Sequence, residues 1–202
     1  MLFAPQFPER TNGAVEGESE TMTVYWSSTR ERCAGLSRRC VFLWIDLYGA
    51  QSVTMTPKIL AFAGSARSES LNKRLVRVAA EAAKAAGAYV TLVDLDDYPM
   101  PVYHGDLEAR EGVPPSARAL KTLFREHHGL LIASPENNAS IPAMLKNSLG
   151  WVSRPDGGQN GLVPYQGKVA ALLSASPGAL GGLRGLVQLR AVLQALGVLG
   201  SH

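Results

Sequence analysis

One segment of this 202-residue chain combines residue types that bind small anions. It runs from Gly64 to Asn72 and contains three serines and Arg67. Glycine permits a tight turn, hydroxyl and amide groups can surround an anion, and Arg67 supplies a charge-assisted donor. A helix that follows adds a positive field of about half a charge at its N-terminus. Because the segment lacks the lysine of GxxxxGK[ST] and the glycines of GxGxxG, it predicts a terminal monophosphate as its ligand.

Two later segments could contact the rest of such a ligand. Ser134–Ser140 is rich in amide side chains, and its backbone donors and acceptors could read the edge of a flat heterocycle. Ser174–Gly182 contains three glycines, which let a backbone approach a ligand closely. Each segment also has an ordinary structural explanation that the sequence leaves open. Ser68 and Ser70 are common helix N-caps, and the two later segments could be a turn and a flexible connection.

The elements around these segments predict an α/β fold. From residue 58 onward, apolar runs typical of buried parallel strands alternate with amphipathic helices. We predict strands at Lys58–Gly64, Ala88–Asp94, Gly129–Ala133 and Lys168–Ser174. We predict helices at Leu71–Ala86, Ser116–His127, from Ile141-Pro142 onward, and at Leu183–Leu196. Open parallel sheets bind ligands beyond the carboxyl ends of their strands, so the three segments are expected to meet there.

Composition limits the function classes. Hydrophobic residues make up 46% and charged residues 18% of the chain, with a net charge of +3, which fits one soluble globular domain. No nucleic-acid signature, membrane-spanning stretch, signal peptide or metal-ligand spacing is found. The only cysteines are Cys33 and Cys40, so no disulfide framework is needed and a cytoplasmic location is expected.

Residues 1–57 differ from the rest of the chain. They show no sustained helical or strand period, and we expect them to be a disordered N-terminal extension, with the functional domain at 58–202. Met55 lies just before the first predicted strand, so the extension could lie upstream of the natural start. Deleting residues 1–54 is then expected to change stability little. The alternative is that Val41–Ile45 serves as a substitute edge strand, in which case the deletion would lower the melting temperature.

Taken together, the three segments resemble the NADPH-dependent FMN reductase family of flavodoxin-like proteins, which includes chromate and quinone reductases. The resembling motifs are GSxRxxSxN, PEYNxSxPxxLKNxxDWxSR, and a small-residue loop before a GGxR helix, and they span Lys58 to about Gly200. The resemblance implies a flavodoxin-like, three-layer, doubly wound parallel sheet. The family's fifth strand and last helix are expected to be missing, because the chain ends soon after the fourth predicted helix.

The resemblance also implies which residues bind the cofactor. The first loop would hold the FMN phosphate, the second would line the isoalloxazine, and the third would border the flavin from the other side. These candidates are Ser65, Arg67, Ser70, Asn72, Pro135, Glu136, Asn137, Asn138, Ser140, Ser174, Ser176 and Gly178. Two positions depart from the family's pattern: Asn137 replaces a tyrosine and Gly150 replaces an aspartate.

The activity implied is hydride transfer from NADPH or NADH through FMN to a small acceptor such as a quinone, chromate or an azo compound. No catalytic side chain and no metal ligand is predicted, because the cofactor performs the chemistry. Relatives of this kind form homodimers or homotetramers, and Pro142–Arg154 is a candidate subunit contact. Two alternatives remain: a non-enzymatic flavodoxin-like electron carrier, and an inactive truncated remnant.

Overall fold

The computed structural model describes residues 21–25 and 55–198. The strands are β1 (Thr21–Tyr25), β2 (Lys58–Ala63), β3 (Tyr89–Asp94), β4 (Gly129–Ala133) and β5 (Val169–Ser176). The helices are α1 (Leu71–Ala85), α2 (Gly105–Glu111), α3 (Pro115–Glu126), α4 (Ala143–Val152) and α5 (Leu183–Ala195), with a 3₁₀ turn at Leu95–Asp97. All four predicted parallel strands and all four predicted helices are therefore present, with small shifts at their ends.

The strands form one sheet in the order β1-β5-β4-β2-β3. β2 pairs in parallel with both β3 and β4, and β4 pairs in parallel with β5. Counting only these four strands, the order is 2-1-3-4, which matches the first four strands of a flavodoxin-like sheet. The predicted α/β, flavodoxin-like fold class is confirmed.

Helices cover both faces of this sheet. Gly129–Ala133 is buried throughout, as the apolar composition of a central parallel strand requires. On one face α1 packs Val76 and Ala80 against β2, β4 and β5. On the other face α3, α4 and α5 enclose a larger core around Phe62 and Phe124. The result is the three-layer arrangement in which loops at the carboxyl ends of the strands separate to opposite faces.

One helix, α2, was not predicted from the sequence. α2 starts at Gly105, directly after His104, and none of its residues is buried. Helices are recognised in sequences chiefly by the periodic apolar face that they bury, and α2 has no such face. It extends the long connection between β3 and α3 and does not contribute to the core.

A strand that the sequence analysis did not predict lies at the edge of the sheet. β1 pairs antiparallel with β5, with Thr21 opposite Ser176 and Tyr25 opposite Leu172. The run TMTVY contains β-branched and aromatic residues typical of strands, but it stands apart from the alternating apolar runs and amphipathic helices that identify the other strands. The expected lack of regular structure before residue 58 thus does not hold at β1. The alternative edge strand, Val41–Ile45, lies outside the described residues.

Residues 21–25 and 55–198 contain neither a candidate membrane span nor a candidate metal cluster. None of the helices there is both long and apolar enough to cross a membrane. The same residues contain no group of three or more His, Cys, Asp or Glu side chains able to hold a metal ion.

Removing β1 should lower thermal stability, because the backbone groups at the edge of β5 would lose their partners. We expect a chain lacking residues 1–26 to melt about 3 to 6 °C below one lacking residues 1–20, which keeps β1. Thermal unfolding followed by circular dichroism compares the two. Equal melting temperatures would show that β1 contributes nothing to stability.

Candidate functional site

The three loops Gly64–Asn72, Ser134–Ser140 and Ser174–Gly182 lie side by side at the carboxyl edge of the sheet. Backbone hydrogen bonds continue from the strands into the loops: Gly64 N–H donates to Ala133 O at 2.8 Å, and Ser134 N–H donates to Leu173 O at 2.8 Å. A Cβ at Gly64 would lie 2.8 Å from Leu145 Cδ2, so only glycine allows α4 to pack this closely against the first loop. The predicted meeting of these loops is observed.

The first loop presents free donors. Arg67 is exposed and forms no ion pair with any described residue. The backbone N–H groups of Ala66, Ser68 and Glu69 donate to no acceptor within residues 55–198. The Ser65 hydroxyl makes one long contact, accepting from Arg67 N–H at 3.4 Å. Unpaired N–H groups beside a free guanidinium form a donor set suited to an anion.

The other two phosphate-loop candidates have partners within the protein. Ser70 is the N-cap of α1, and its hydroxyl accepts from Lys73 N–H at 3.3 Å. Asn72 is buried, and its amide bridges the backbone of Ala175: Nδ2 donates to Ala175 O at 2.9 Å, and Ala175 N–H donates to Oδ1 at 3.0 Å. Asn72 therefore ties the start of α1 to the end of β5, beside the third loop.

Lys73 is a residue of this site that sequence reasoning missed. Its ammonium donates to Ala66 O at 3.3 Å and to Asp94 Oδ2 at 2.5 Å. Burial raises the pKa of Asp94, but hydrogen bonds from Lys73 and from Asp96 N–H outweigh it, and the net pKa lies below its ordinary value. The one signal in the sequence is a lysine directly after Asn72, but a lysine on an amphipathic helix is normally solvated.

The second loop contains a tight turn. Asn137 and Ser140 exchange backbone hydrogen bonds at 2.9 and 3.0 Å. The two residues between them, Asn138 and Ala139, have φ values of 51° and 62°, the left-handed region that a type I′ turn requires. Asn tolerates this conformation, whereas alanine pays a steric cost. The turn leaves the side chains of Asn137 and Asn138 exposed.

Glu136 points away from the turn and toward α5. Its carboxylate accepts from Arg184 Nε at 2.7 Å and from Gly185 N–H at 3.2 Å. The hydrogen bond from Arg184 is the main reason that the pKa of Glu136 is lowered. The start of α5 has no side-chain cap of its own, so Glu136 supplies the acceptor that a helix N-terminus needs. Glu136 thus connects the second loop to α5. Arg184 belongs to the GGxR motif, but the sequence analysis does not predict it as a site residue.

The third loop contains an unsatisfied polar group. Ser174 is fully buried, and its Oγ has no hydrogen-bond partner among the described residues. Gly182, with φ of 84°, is the N-cap of α5, and a Cβ there would lie 1.9 Å from Ser174 Oγ. Ser176 Oγ accepts from Gly178 N–H at 3.1 Å, which turns the chain at the end of β5. A buried hydroxyl without a partner is costly and often marks a ligand site.

A groove of about 550 Å³ borders the second loop on the side of α4 and α5. Asn137, Asn138 and Ser140 of the second loop line this wall of the groove, and Lys146 of α4 and Gln188 of α5 also line the groove. The groove is mixed in character, with apolar contributions from Ile141, Ala143 and Val192. Pro135 lies next to this wall and is half-buried.

Comparison with known proteins identifies the family. The sequence model for NADPH-dependent FMN reductases matches residues 57–200, which include the three loops and the four parallel strands. The chain belongs to the NADPH-dependent FMN reductase family. The resemblance stated from the motifs is thereby confirmed, together with the predicted NAD(P)H-dependent oxidoreductase activity and the cofactors FMN and NAD(P)H.

Individual relatives extend this result. A quinone reductase of Escherichia coli strain K12 is 33% identical over 137 residues, covering 67% of this chain and 69% of that protein. An NAD(P)H-dependent FMN reductase of Pseudomonas aeruginosa is 36% identical over 141 residues, covering 70% of this chain and 71% of that protein. The solved structure of FerB, a flavoenzyme NAD(P)H:(acceptor) oxidoreductase from Paracoccus denitrificans, has a TM-score of 0.59 at 28% identity and covers 73% of this chain and 76% of FerB.

The residues of this FMN reductase family member fit FMN. The first loop offers the free N–H groups and guanidinium that a phosphate monoester needs, and the buried Ser174 hydroxyl beside Gly182 lacks a partner. The cofactor-binding role of each of the twelve candidate residues stays a prediction. The structure places all of them on the three adjoining loops or at the ends of the elements that carry them.

Replacing Asn72 with alanine should destabilise the fold, because both backbone groups of Ala175 would lose a partly buried partner. We expect the free energy of unfolding to fall by about 2 kcal/mol and the melting temperature by about 4 to 8 °C. Chemical and thermal unfolding measure these values. Gln194→Ala, at an exposed position of α5, is the control and should change neither value. If Asn72→Ala left both values unchanged, the hydrogen bonds from Asn72 to Ala175 would not stabilise the fold.

Proposed function

We propose that this FMN reductase passes reducing equivalents from NADPH or NADH to a quinone-type acceptor. The observation that carries the proposal is the set of unpaired donors in the first loop. They lie at the carboxyl ends of β2 and β4, where the loops that follow these two strands lead to opposite faces of the sheet. The quinone reductase of Escherichia coli is the relative that favours a quinone over chromate or an azo compound.

The roles of the chain's residues follow from their contacts. Arg67, Ser65 and the free N–H groups of the first loop would hold the phosphate, while Ser70 and Asn72 keep the loop and α1 in place. Backbone groups of 135–140 would orient the edge of a flat ring, and Ser174 would donate or accept a hydrogen bond that it lacks within the protein. FMN, when bound, supplies a carrier that takes hydride from nicotinamide and passes electrons to the acceptor.

The protein's contribution to rate is position and electrostatics, so we assign no catalytic side chain. Asn137 stands at the second loop with its side chain exposed, where the family's pattern has tyrosine. A short amide occupies less space than a phenol ring. This opening is proposed to admit a flat acceptor beside the ring-binding loop.

Three further features belong to the proposal. Residues 58–202 form the FMN-binding unit, and the protein acts in the cytoplasm. It assembles as a homodimer or homotetramer through Pro142–Arg154. The exposed Ala143 and Lys146 on α4, together with the half-buried Val192 on α5, support a contact surface at this place.

Steady-state kinetics tests the function. The purified full chain, reconstituted with FMN, should oxidise NADPH or NADH in the presence of excess 1,4-naphthoquinone with no added reductase. A flavodoxin-like electron carrier would bind FMN without turning over, and an inactive remnant would do neither. Light scattering on the same sample gives the number of subunits. Absence of turnover by the FMN-loaded protein with any quinone would overturn the proposal.

Replacing Arg67 with alanine tests the phosphate site. Charge-assisted hydrogen bonds to a phosphate are worth about 1.5 to 3 kcal/mol, so FMN should bind about 10- to 100-fold more weakly. Riboflavin, which lacks the phosphate, should lose less than about twofold. Quenching of flavin fluorescence measures both affinities, with the exposed Arg190→Ala as the matched control. Equal losses for the two flavins would remove Arg67 from the phosphate site.

A further inference from the structure

Lys73 places a largely buried positive charge beneath the first loop. Its side chain is only 10% exposed, although lysine is rarely buried in proteins. The ammonium contacts two groups from different parts of the chain, the carbonyl of Ala66 and the carboxylate of Asp94. The loop, α1 and β3 are therefore joined at one atom. The family resemblance assigned no role to Lys73 or to Asp94.

Asp94 is itself fixed. It is the last residue of β3, and its Oδ1 accepts from Asp96 N–H at 3.1 Å while Oδ2 accepts from Lys73. The Asp96 N–H holds this carboxylate independently of Lys73, so the carboxylate provides an anchor for the ammonium. The ammonium in turn determines the direction of the Ala66 carbonyl. The positive charge of Arg77, which is exposed on α1, also lowers the pKa of Asp94, but Arg77 forms no ion pair with it.

The direction of the Ala66 carbonyl matters for an anion. Within a loop of a few residues, turning a carbonyl oxygen toward bound phosphate would bring two negative groups together, whereas turning it away leaves the N–H groups to face the anion. In the structure this oxygen is directed to Lys73, and the N–H groups of Ala66, Ser68 and Glu69 remain unpaired. The arrangement of the donors in the first loop thus depends on a side chain from the third position of α1.

We propose that Lys73, anchored by Asp94, is a positioning residue for the phosphate group of FMN, acting by holding the Ala66 carbonyl away from the anion. This inference rests on the proposed function, because it assumes that the first loop binds the phosphate. It differs from a direct role in which Lys73 attracts phosphate by its charge. The Asp94 carboxylate neutralises the ammonium, so the pair together contributes little net charge at the loop.

The two roles predict opposite effects of Asp94→Asn. If Lys73 acts by charge, removing the neutralising carboxylate strengthens the attraction, and FMN binds more tightly. If Lys73 positions the loop, removing its anchor frees the ammonium and the Ala66 carbonyl, and FMN binds more weakly. We expect Asp94→Asn and Lys73→Met each to weaken FMN binding about tenfold, and riboflavin binding less than about twofold. The double variant should lose about as much as either single variant, because both changes break one contact chain.

The experiment measures FMN and riboflavin affinities of the full-length variants by fluorescence quenching, with circular dichroism and melting temperature as a check of folding. Lys84→Met is the control, since Lys84 lies in the last turn of α1 and pairs only with Glu81 among the described residues. Lys73→Arg retains a cation and should bind FMN within about threefold of the natural chain. If Lys73→Met does not fold, Asp94→Asn and Lys73→Arg decide the question.

Three results would overturn the inference. Tighter FMN binding by Asp94→Asn would indicate a charge role, and equal losses of FMN and riboflavin would indicate a general structural role. Unchanged affinities in all variants would show that the contact is irrelevant to binding. Failure of the proposed function looks different, because the natural chain itself would then not discriminate FMN from riboflavin.

Discussion

The pairing of β2 with β4 at the centre of the sheet is the constraint on which the site depends. The chain passes from β2 to β3 on one side and must then cross over β2 to reach β4. The loop after β2 therefore leads to α1 on one face, and the loops after β4 and β5 lead to α4 and α5 on the other. A crevice between such diverging loops is a geometric consequence of the strand order, and it exposes backbone N–H groups that the sheet cannot pair.

Long-range side-chain contacts then fix each loop at this crevice. Asn72 holds the end of β5, Lys73 holds the first loop, and Glu136 holds the second loop to α5. Asn72 and Glu136 bond elements that are distant in sequence, and Lys73 links the nearby first loop to Asp94 at the end of β3. Ordering the loops before a ligand arrives reduces the entropy that binding must offset. These contacts occupy hydrogen-bonding groups of Asn72, Lys73 and Glu136, whereas Arg67 and the N–H groups of Ala66, Ser68 and Glu69 have no such partner among the described residues.

The difference between local sequence patterns and contacts that only the folded chain makes explains what could be predicted from the sequence. The four parallel strands and their helices follow from apolar periodicity, which is a local property, and the loops follow from strand order. The motif predicts Glu136 and Asn72 as cofactor contacts, which stays a prediction, but it does not report the contacts that these side chains make within the protein, because a motif gives residue types and not the direction in which a side chain points. Lys73 was missed because its partners Ala66 and Asp94 are brought together only by the fold. α2 lacks a buried face, and β1 lies outside the alternation of apolar runs and amphipathic helices that identifies the other strands.

In the turn at 137–140, backbone groups form the hydrogen bonds that close the turn, while the Asn137 and Asn138 side chains stay exposed. Asn137 and Ser140 close the turn through backbone groups alone, and the left-handed conformation at Asn138 and Ala139 costs the alanine about 1 to 2 kcal/mol. A strained conformation persists only where its surroundings determine it, and here Glu136 anchors one end of the loop to α5. Since no hydrogen bond of the turn uses the Asn137 side chain, that position can change without altering the backbone of the turn. The proposed function therefore assigns acceptor preference to the Asn137 side chain and cofactor affinity to the backbone of the same loop.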